Sequence, residues 1–317
     1  MRFCLILKNK NIINIYNNCV KVCYDLYLYV YVKIDKVTFM KKNLLVAPVV
    51  KWAGGKRQLL PEIYKHIPKV FSTYYEPFLG GGAVLFHLQP NRAVVNDINE
   101  ELINMYLVIR DNVEGLIESL KKHKNEEEYY YMVRDLDRDK EKYKQLSNVE
   151  RASRIIYLNK TCYNGLFRVN SQGQFNVPFG RYKNPVIVNE ATLRAVSNYL
   201  NSAQITFKCT DFEEVLKGIR KGAFVYFDPT YDPVSDTSSF TGYDINGFDR
   251  SEQIRLKEVC DKIDKRGVKF LLSNSATDFI LDLYKDYNIT IVKAKRPINS
   301  KGNRRGEVDE VLVKNYE

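Results

Sequence analysis

Short apolar runs separated by helix-period segments begin near residue 45 of this chain. Tyr74 to Phe78 is apolar and aromatic and closes on Leu79-Gly80-Gly81-Gly82. Ala83 to Leu88 then has helical patterning, Ala93 to Asp97 reads as a second strand, and Glu100 to Arg110 as a helix. Strand, glycine turn, helix and strand in succession predict an α/β fold with a doubly wound, mostly parallel sheet. The rhythm breaks at 111–160, which is helical by propensity and dense in charge (Lys121-Lys122-His123-Lys124, then Glu126-Glu127-Glu128). Such runs predict a solvated helical face. Residues 161–189 are turn-rich, polar and aromatic. Strand-like runs return at Gln204–Cys209, Ala223–Phe227, Val268–Ser273, Ile289–Val292 and Val308–Val313, with helical stretches at Ser251–Arg266 and Thr277–Tyr287. The economical division is one sheet domain, 40–108 and 190–317, carrying a mainly helical insertion with a hairpin at 109–189.

Composition narrows the partners. The 317 residues are 45% hydrophobic, enough for a real core, and carry a formal net charge of +11, which favours a polyanion. Cys4, Cys19, Cys23, Cys162, Cys209 and Cys260 are scattered, with no Cys-x-x-Cys and only three histidines. Neither a disulfide framework nor a metal site is expected, and a reducing cytoplasm fits. Residues 1–39 differ in character, being rich in Asn, Ile, Tyr, Val and Lys. Their longest apolar stretch, Leu26 to Val32, is too short for a membrane span, and no small-residue cleavage site follows. They are expected to be a dispensable leader upstream of Met40.

Three clusters carry chemistry. The glycines of Glu76-Pro77-Phe78-Leu79-Gly80-Gly81-Gly82 let backbone approach a ligand at a helix N-terminus. Asp97 ends the next strand, where nucleotide-binding sheets place a carboxylate for ribose hydroxyls. A dinucleotide-dependent oxidoreductase would share both features. Lys51-Trp52-Ala53-Gly54-Gly55-Lys56-Arg57 surrounds the only tryptophan with cations, which suits a ligand lip, with Lys56 able to reach a carboxylate. In Val225-Tyr226-Phe227-Asp228-Pro229-Thr230-Tyr231 an apolar strand runs into a carboxylate, a proline and an aromatic. Adenine N6 is a poor nucleophile because its lone pair is delocalised into the ring. The Asp228 carboxylate and Pro229 carbonyl can accept its two hydrogens, and Tyr231 can stack on a base taken out of a duplex.

Together and in this order, these segments resemble the DNA adenine-N6 methyltransferases of the GATC-methylating type, the D12 class, over 45–317. The resemblance rests on Lys51 to Lys56, Glu76 to Gly82, Asp97, Asp211 in Cys209-Thr210-Asp211-Phe212, and Asp228 to Tyr231. It implies a class I S-adenosylmethionine-dependent methyltransferase fold. It also implies S-adenosylmethionine as cofactor, bound by Trp52, Lys56, Glu76, Phe78, Gly80, Asp97, Asp211 and Asp228, with Asp211 near its adenine. Asp228, Pro229 and Tyr231 would be catalytic.

The inserted segments Tyr163 to Asn170 and Phe175 to Tyr182 resemble the family's target-recognition hairpin. Double-stranded DNA is the implied partner, and a restriction endonuclease sharing the target site is a second one. By that resemblance Arg168 reads a guanine, Leu166 and Pro178 touch bases, and Tyr163 and Asn164 fill or brace the space left by the flipped adenine. Arg181 and Tyr182 complete the DNA-binding set. Arg168, Arg181 and Lys183 beside aromatics suit a groove-reading element on physical grounds as well. Leu272-Ser273-Asn274-Ser275 also matches the family, and the basic loop 299–306 is expected on phosphates. One position departs: the family has proline where this chain has Thr230. Proline stiffens a loop and lacks an N–H, so the expectation is an active but slower enzyme. The competing expectation is a DNA-binding regulator of the same fold with impaired turnover.

Overall fold

A computed structural model of the chain describes residues 42–52, 54–234, 247–295 and 307–317. The expectations for 1–39 and for the basic loop 299–306 lie outside these described residues. Seven strands form one sheet: β1 Tyr74–Glu76, β2 Arg92–Asn96, β3 Gln204–Lys208, β4 Phe224–Phe227, β5 Lys269–Ser275, β6 Asn288–Lys295 and β7 Glu307–Lys314. Their order is β3-β2-β1-β4-β5-β7-β6. The first five pair in parallel, and β7 enters antiparallel between β5 and β6. The fold is therefore the expected mostly parallel, doubly wound sheet.

Strand burial explains the sequence pattern. A parallel sheet covered on both faces needs apolar residues on both sides of each strand. Every residue of β4 is buried. Phe224 and Tyr226 pack into one core, with Phe86, Tyr106, Ile109 and Val196; Val225 and Phe227 point into the other, with Leu256, Cys260, Phe270 and Tyr284. That alternation is the two-residue period of a strand. The expected Ile289–Val292 run lengthens to all of β6 because β7 pairs with it from Asn288↔Lys314 to Lys295↔Glu307. The helix expected over 277–287 shortens to Asp278–Leu283, with the Thr277 side chain capping its N-terminus.

Between β2 and β3 the chain makes α-helices at Glu100–Asp111, Val113–Lys121, Glu127–Arg134, Lys140–Gln145, Asn148–Thr161 and Glu190–Ser202. The Asn148–Thr161 helix starts from a reciprocal cap: the Ser147 hydroxyl accepts from Glu150 N, and the Glu150 carboxylate accepts from Ser147 N. Its Ala152, Ile155 and Ile156 sit in the main core, as do Leu116, Ile117 and Leu120. A separate small core gathers Tyr130, Val133, Tyr157, Leu158, Cys162, Phe175 and Val177. Glu126, Glu127 and Glu128 are exposed, as charge runs predict, but His123 turns inward. It stacks on Tyr157 at 4.3 Å, and burial pushes its imidazole down to about 4.

Candidate active site and nucleic-acid interface

In the strand order, the chain winds one way from β1 through β2 to β3 and the other way from β4 to β5. The reversal falls between β1 and β4, and the carboxyl ends of strands at such a switch point are where open α/β sheets bind ligands. The glycine turn leaves β1 and the Asp228 loop leaves β4, so the topology brings the two clusters together.

Gly80 is pinned on both sides. Its N–H donates to Asp97 Oδ2 at 2.9 Å, and its carbonyl accepts from the Tyr106 hydroxyl at 2.8 Å. Asp97 Oδ1 also accepts from Asn99 N at 2.9 Å. Gly80 and Gly82 have φ of 48° and 69°, the left-handed region that glycine tolerates. A Cβ on Gly80 would lie 2.9 Å from Trp52 Cδ1. Trp52 is thus a correction: it is buried, not a solvent-facing lip, and its ring stacks on Phe167 with centroids 4.5 Å apart. Glu76 is buried and accepts from the Tyr74 hydroxyl at 2.9 Å; burial holds its carboxyl well above the usual range. Phe78 packs half-buried against Phe212 and Phe248.

Lys56 and Asp211 both hold protein partners. Lys56 Nζ, predicted to reach a cofactor carboxylate, pairs with Asp228 Oδ1 at 2.8 Å and donates to Gly54 O at 2.6 Å. It also lies 4.3 Å from the Tyr231 ring centroid, so an ammonium occupies the ring expected to stack on a base. The Tyr231 hydroxyl donates to Glu310 Oε2 at 2.8 Å. Asp211, expected near the cofactor's adenine, caps the helix Phe212–Val215 and makes a forked pair with Arg255 at 3.0 and 2.7 Å. Burial raises the Asp228 carboxyl, opposed by the Lys56 ammonium and by the Ser273 hydroxyl at 3.1 Å.

The hairpin is held by a few bonds rather than a ladder. Isolated antiparallel bridges join Cys162 to Phe179 and Val169 to Phe175. Tyr163 N donates to Pro178 O, and Asn176 N to Arg168 O. From behind, Asp137 accepts from Phe175 N at 2.8 Å and pairs with the buried Arg154 at 2.8 Å. Arg168 is exposed at the front; its Nε donates to Asn176 Oδ1 at 2.7 Å. Tyr163 and Pro178 are exposed too, and Leu166 is half-buried. Asn164 and Arg181 take left-handed φ values of 58° and 53°. Arg181 lies 3.6 Å from Glu127, and the Tyr182 carbonyl accepts from Asn125.

Sequence reasoning missed the polar residues that lock these parts together. Asn159 accepts from Lys51 N at 2.8 Å and donates to Lys51 O at 2.7 Å and Gly165 O at 3.1 Å, tying the tryptophan segment to the hairpin. Asn96 joins the turns after β1 and β3 through Pro77 O and Thr210. An Asn at a strand end or in a charged helix gives little warning of such a role. Among the described residues, no cluster suited to a metal ion occurs, and no helix is long and apolar enough to cross a membrane.

Comparison with known proteins matches residues 52–298 to the family described as D12 class N6 adenine-specific DNA methyltransferase. The chain is 46% identical over 278 residues to Type II methyltransferase M1.LlaDCHI of Lactococcus lactis subsp. cremoris, covering 87% of this chain and 98% of that protein. It is 46% identical over 291 residues to Type II methyltransferase M.MjaIII of Methanocaldococcus jannaschii, covering 86% and 99%. Identity to the DNA adenine methylase of Escherichia coli (strain K12) is 35% over 278 residues, covering 86% and 96%.

Proposed function

Because the chain belongs to the D12 class of N6 adenine-specific DNA methyltransferases, we propose that it uses S-adenosylmethionine to methylate the adenine of GATC after that base is flipped from the duplex. The observation carrying this reading is the meeting of the glycine turn and Asp228 at the carboxyl ends of the adjacent parallel strands β1 and β4. The donor set fits the cofactor: a backbone turn held close by Asp97 suits the ribose hydroxyls, and the Glu76 carboxyl suits a cationic amino-acid end.

S-adenosylmethionine supplies an electrophilic methyl on a sulfonium. The chain's residues prepare the nucleophile. Asp228 and the Pro229 carbonyl accept the two N6 hydrogens, which localises the nitrogen lone pair for attack. Asp228 must exchange its Lys56 partner for the base, and the Tyr231 ring must exchange the Lys56 ammonium for the base's face. Residues 109–189 serve as the DNA-reading insertion, with Arg168 on a guanine edge, Leu166 and Pro178 on bases, Tyr163 and Asn164 in the vacated stack, and Arg181 and Tyr182 at the flank. The higher identity to two proteins named Type II methyltransferases supports a protective role beside an endonuclease of the same target.

A pH dependence follows from Asp228. A protonated carboxyl loses an acceptor, so the methylation rate falls with acid, and burial places that limb above the ordinary value of about 3.9. Lys56→Met removes an opposing influence, so the limb should move further toward neutral pH. Values of kcat/KM across pH, which report the free enzyme in which Lys56 faces Asp228, check this; an acid limb that stays put or moves down would contradict it.

The function is tested with purified protein, S-adenosylmethionine and unmethylated duplex DNA, followed by endonucleases that differ in sensitivity to GATC methylation. Protection at GATC, lost in Asp228→Ala, is expected. Methyl transfer to adenine outside GATC would remove the target assignment, and absence of transfer would remove the reaction.

A further inference from the structure

The loop that leaves β4 is gripped from behind by side chains that no part of the reaction touches. Gln253 lies on the helix Arg250–Lys265, and Asn274 near the end of β5; both are fully buried. Gln253 Nε2 donates to the Thr230 carbonyl at 2.8 Å. Asn274 Nδ2 donates to Gln253 Oε1 at 3.0 Å, and Asn274 Oδ1 accepts from Asp232 N at 3.0 Å. The Ser275 hydroxyl donates to the Asp232 carbonyl. Asp232, itself buried, accepts from Thr277 Oγ1 at 2.7 Å and pairs with Arg250 at 3.0 Å.

We infer that Gln253 and Asn274 are positioning residues that fix the two peptide planes flanking Tyr231, an inference that rests on the reading of Asp228 to Tyr231 as the catalytic loop. The geometry is specific. The Thr230 carbonyl belongs to the peptide unit before Tyr231, and the Asp232 N–H to the one after it. Holding one atom of each plane limits rotation about both soft torsions of Tyr231. The aromatic side chain is then aimed by the backbone rather than by its own contacts alone. The two grips are coupled, because Asn274 holds Asp232 with its oxygen and orients Gln253 with its nitrogen. Buried amides whose donors and acceptors are both used in this way give a single well-defined arrangement. The clamp also supplies stiffness at a position where Thr230 leaves φ free, since only proline would fix that angle covalently.

Gln253→Met removes both amide bonds and keeps the bulk. Its single-turnover rate on duplex DNA should fall by about tenfold to a hundredfold, the range for a misplaced catalytic group, while the dissociation constant for DNA stays within about threefold, the usual context-dependent spread of such small effects. A 2-aminopurine at the target adenine should show a flipped-state signal less quenched than with the parent protein, because Tyr231 no longer covers the base. Asn274→Asp, which keeps the oxygen that accepts from Asp232 N and loses the donor to Gln253, should slow the reaction by a smaller factor. A Gln253→Met rate equal to the parent's, or a slower rate with the 2-aminopurine signal unchanged, overturns the inference. If Gln253→Met does not fold, Asn274→Asp decides: a slower rate supports the clamp and an unchanged rate overturns it. A parent protein with no methyl transfer at all would instead defeat the reading of the loop itself.

Discussion

Asp228→Ala is expected to lower the methylation rate by about a hundredfold to a thousandfold, the effect of removing one preorganised hydrogen-bonding group from a reacting centre. Two consequences combine in that number. The adenine N6 loses its charged acceptor, and Lys56, whose side chain is 5% exposed, loses the carboxylate 2.8 Å away. An ammonium left unpaired in a buried place also destabilises the fold. Asp228→Asn separates the two effects: it retains one acceptor oxygen but no charge, so it should hold a higher rate than the alanine variant while leaving Lys56 equally unpaired. Single-turnover assays beside thermal melts resolve them. Equal rates for the parent and alanine proteins would mean that the carboxylate takes no part in the chemistry.

The second large effect is expected at Arg168. Alanine there should cost about 1–3 kcal/mol of discrimination, or roughly tenfold to a hundredfold in kcat/KM, if the side chain reads a base edge with its fork. The structure supports a reading role in one respect: Asn176 receives the Nε–H at 2.7 Å and its carbonyl lies 3.3 Å from a terminal nitrogen, so the guanidinium plane is oriented before any DNA arrives. The loss should be concentrated at one base pair, and duplexes changed singly at each position of the target will show whether it is. A uniform fall across all sequences would make Arg168 a phosphate contact.

What was legible in the sequence was local. Apolar runs of strand length and the glycines after Phe78 fixed the first half of the sheet, because a strand period and a positive φ leave marks in neighbouring residues. The place of Asp97 just after the second strand was legible for the same reason. What escaped needed partners far along the chain. Trp52 was read as a lip because cations flank it, yet Lys56 turns inward to Asp228 while Lys51 is exposed, and the indole is buried and stacked on Phe167. Asp211 gave no sign of Arg255, and Gln253 stood among charged neighbours on its helix while its own side chain is wholly buried. Long-range polar pairing is set by tertiary geometry, which periodicity does not encode.

The packing of Trp52 has an optical consequence. It is the only tryptophan among 23 tyrosines and 16 phenylalanines, so selective excitation isolates a single emitter. That indole lies between Gly80 of the turn and Phe167, the neighbour of Arg168. The native chain therefore carries an intrinsic fluorescent reporter between its glycine turn and its hairpin. Titrations with cofactor alone and with DNA alone will each be readable in its emission, with no label attached and no residue changed.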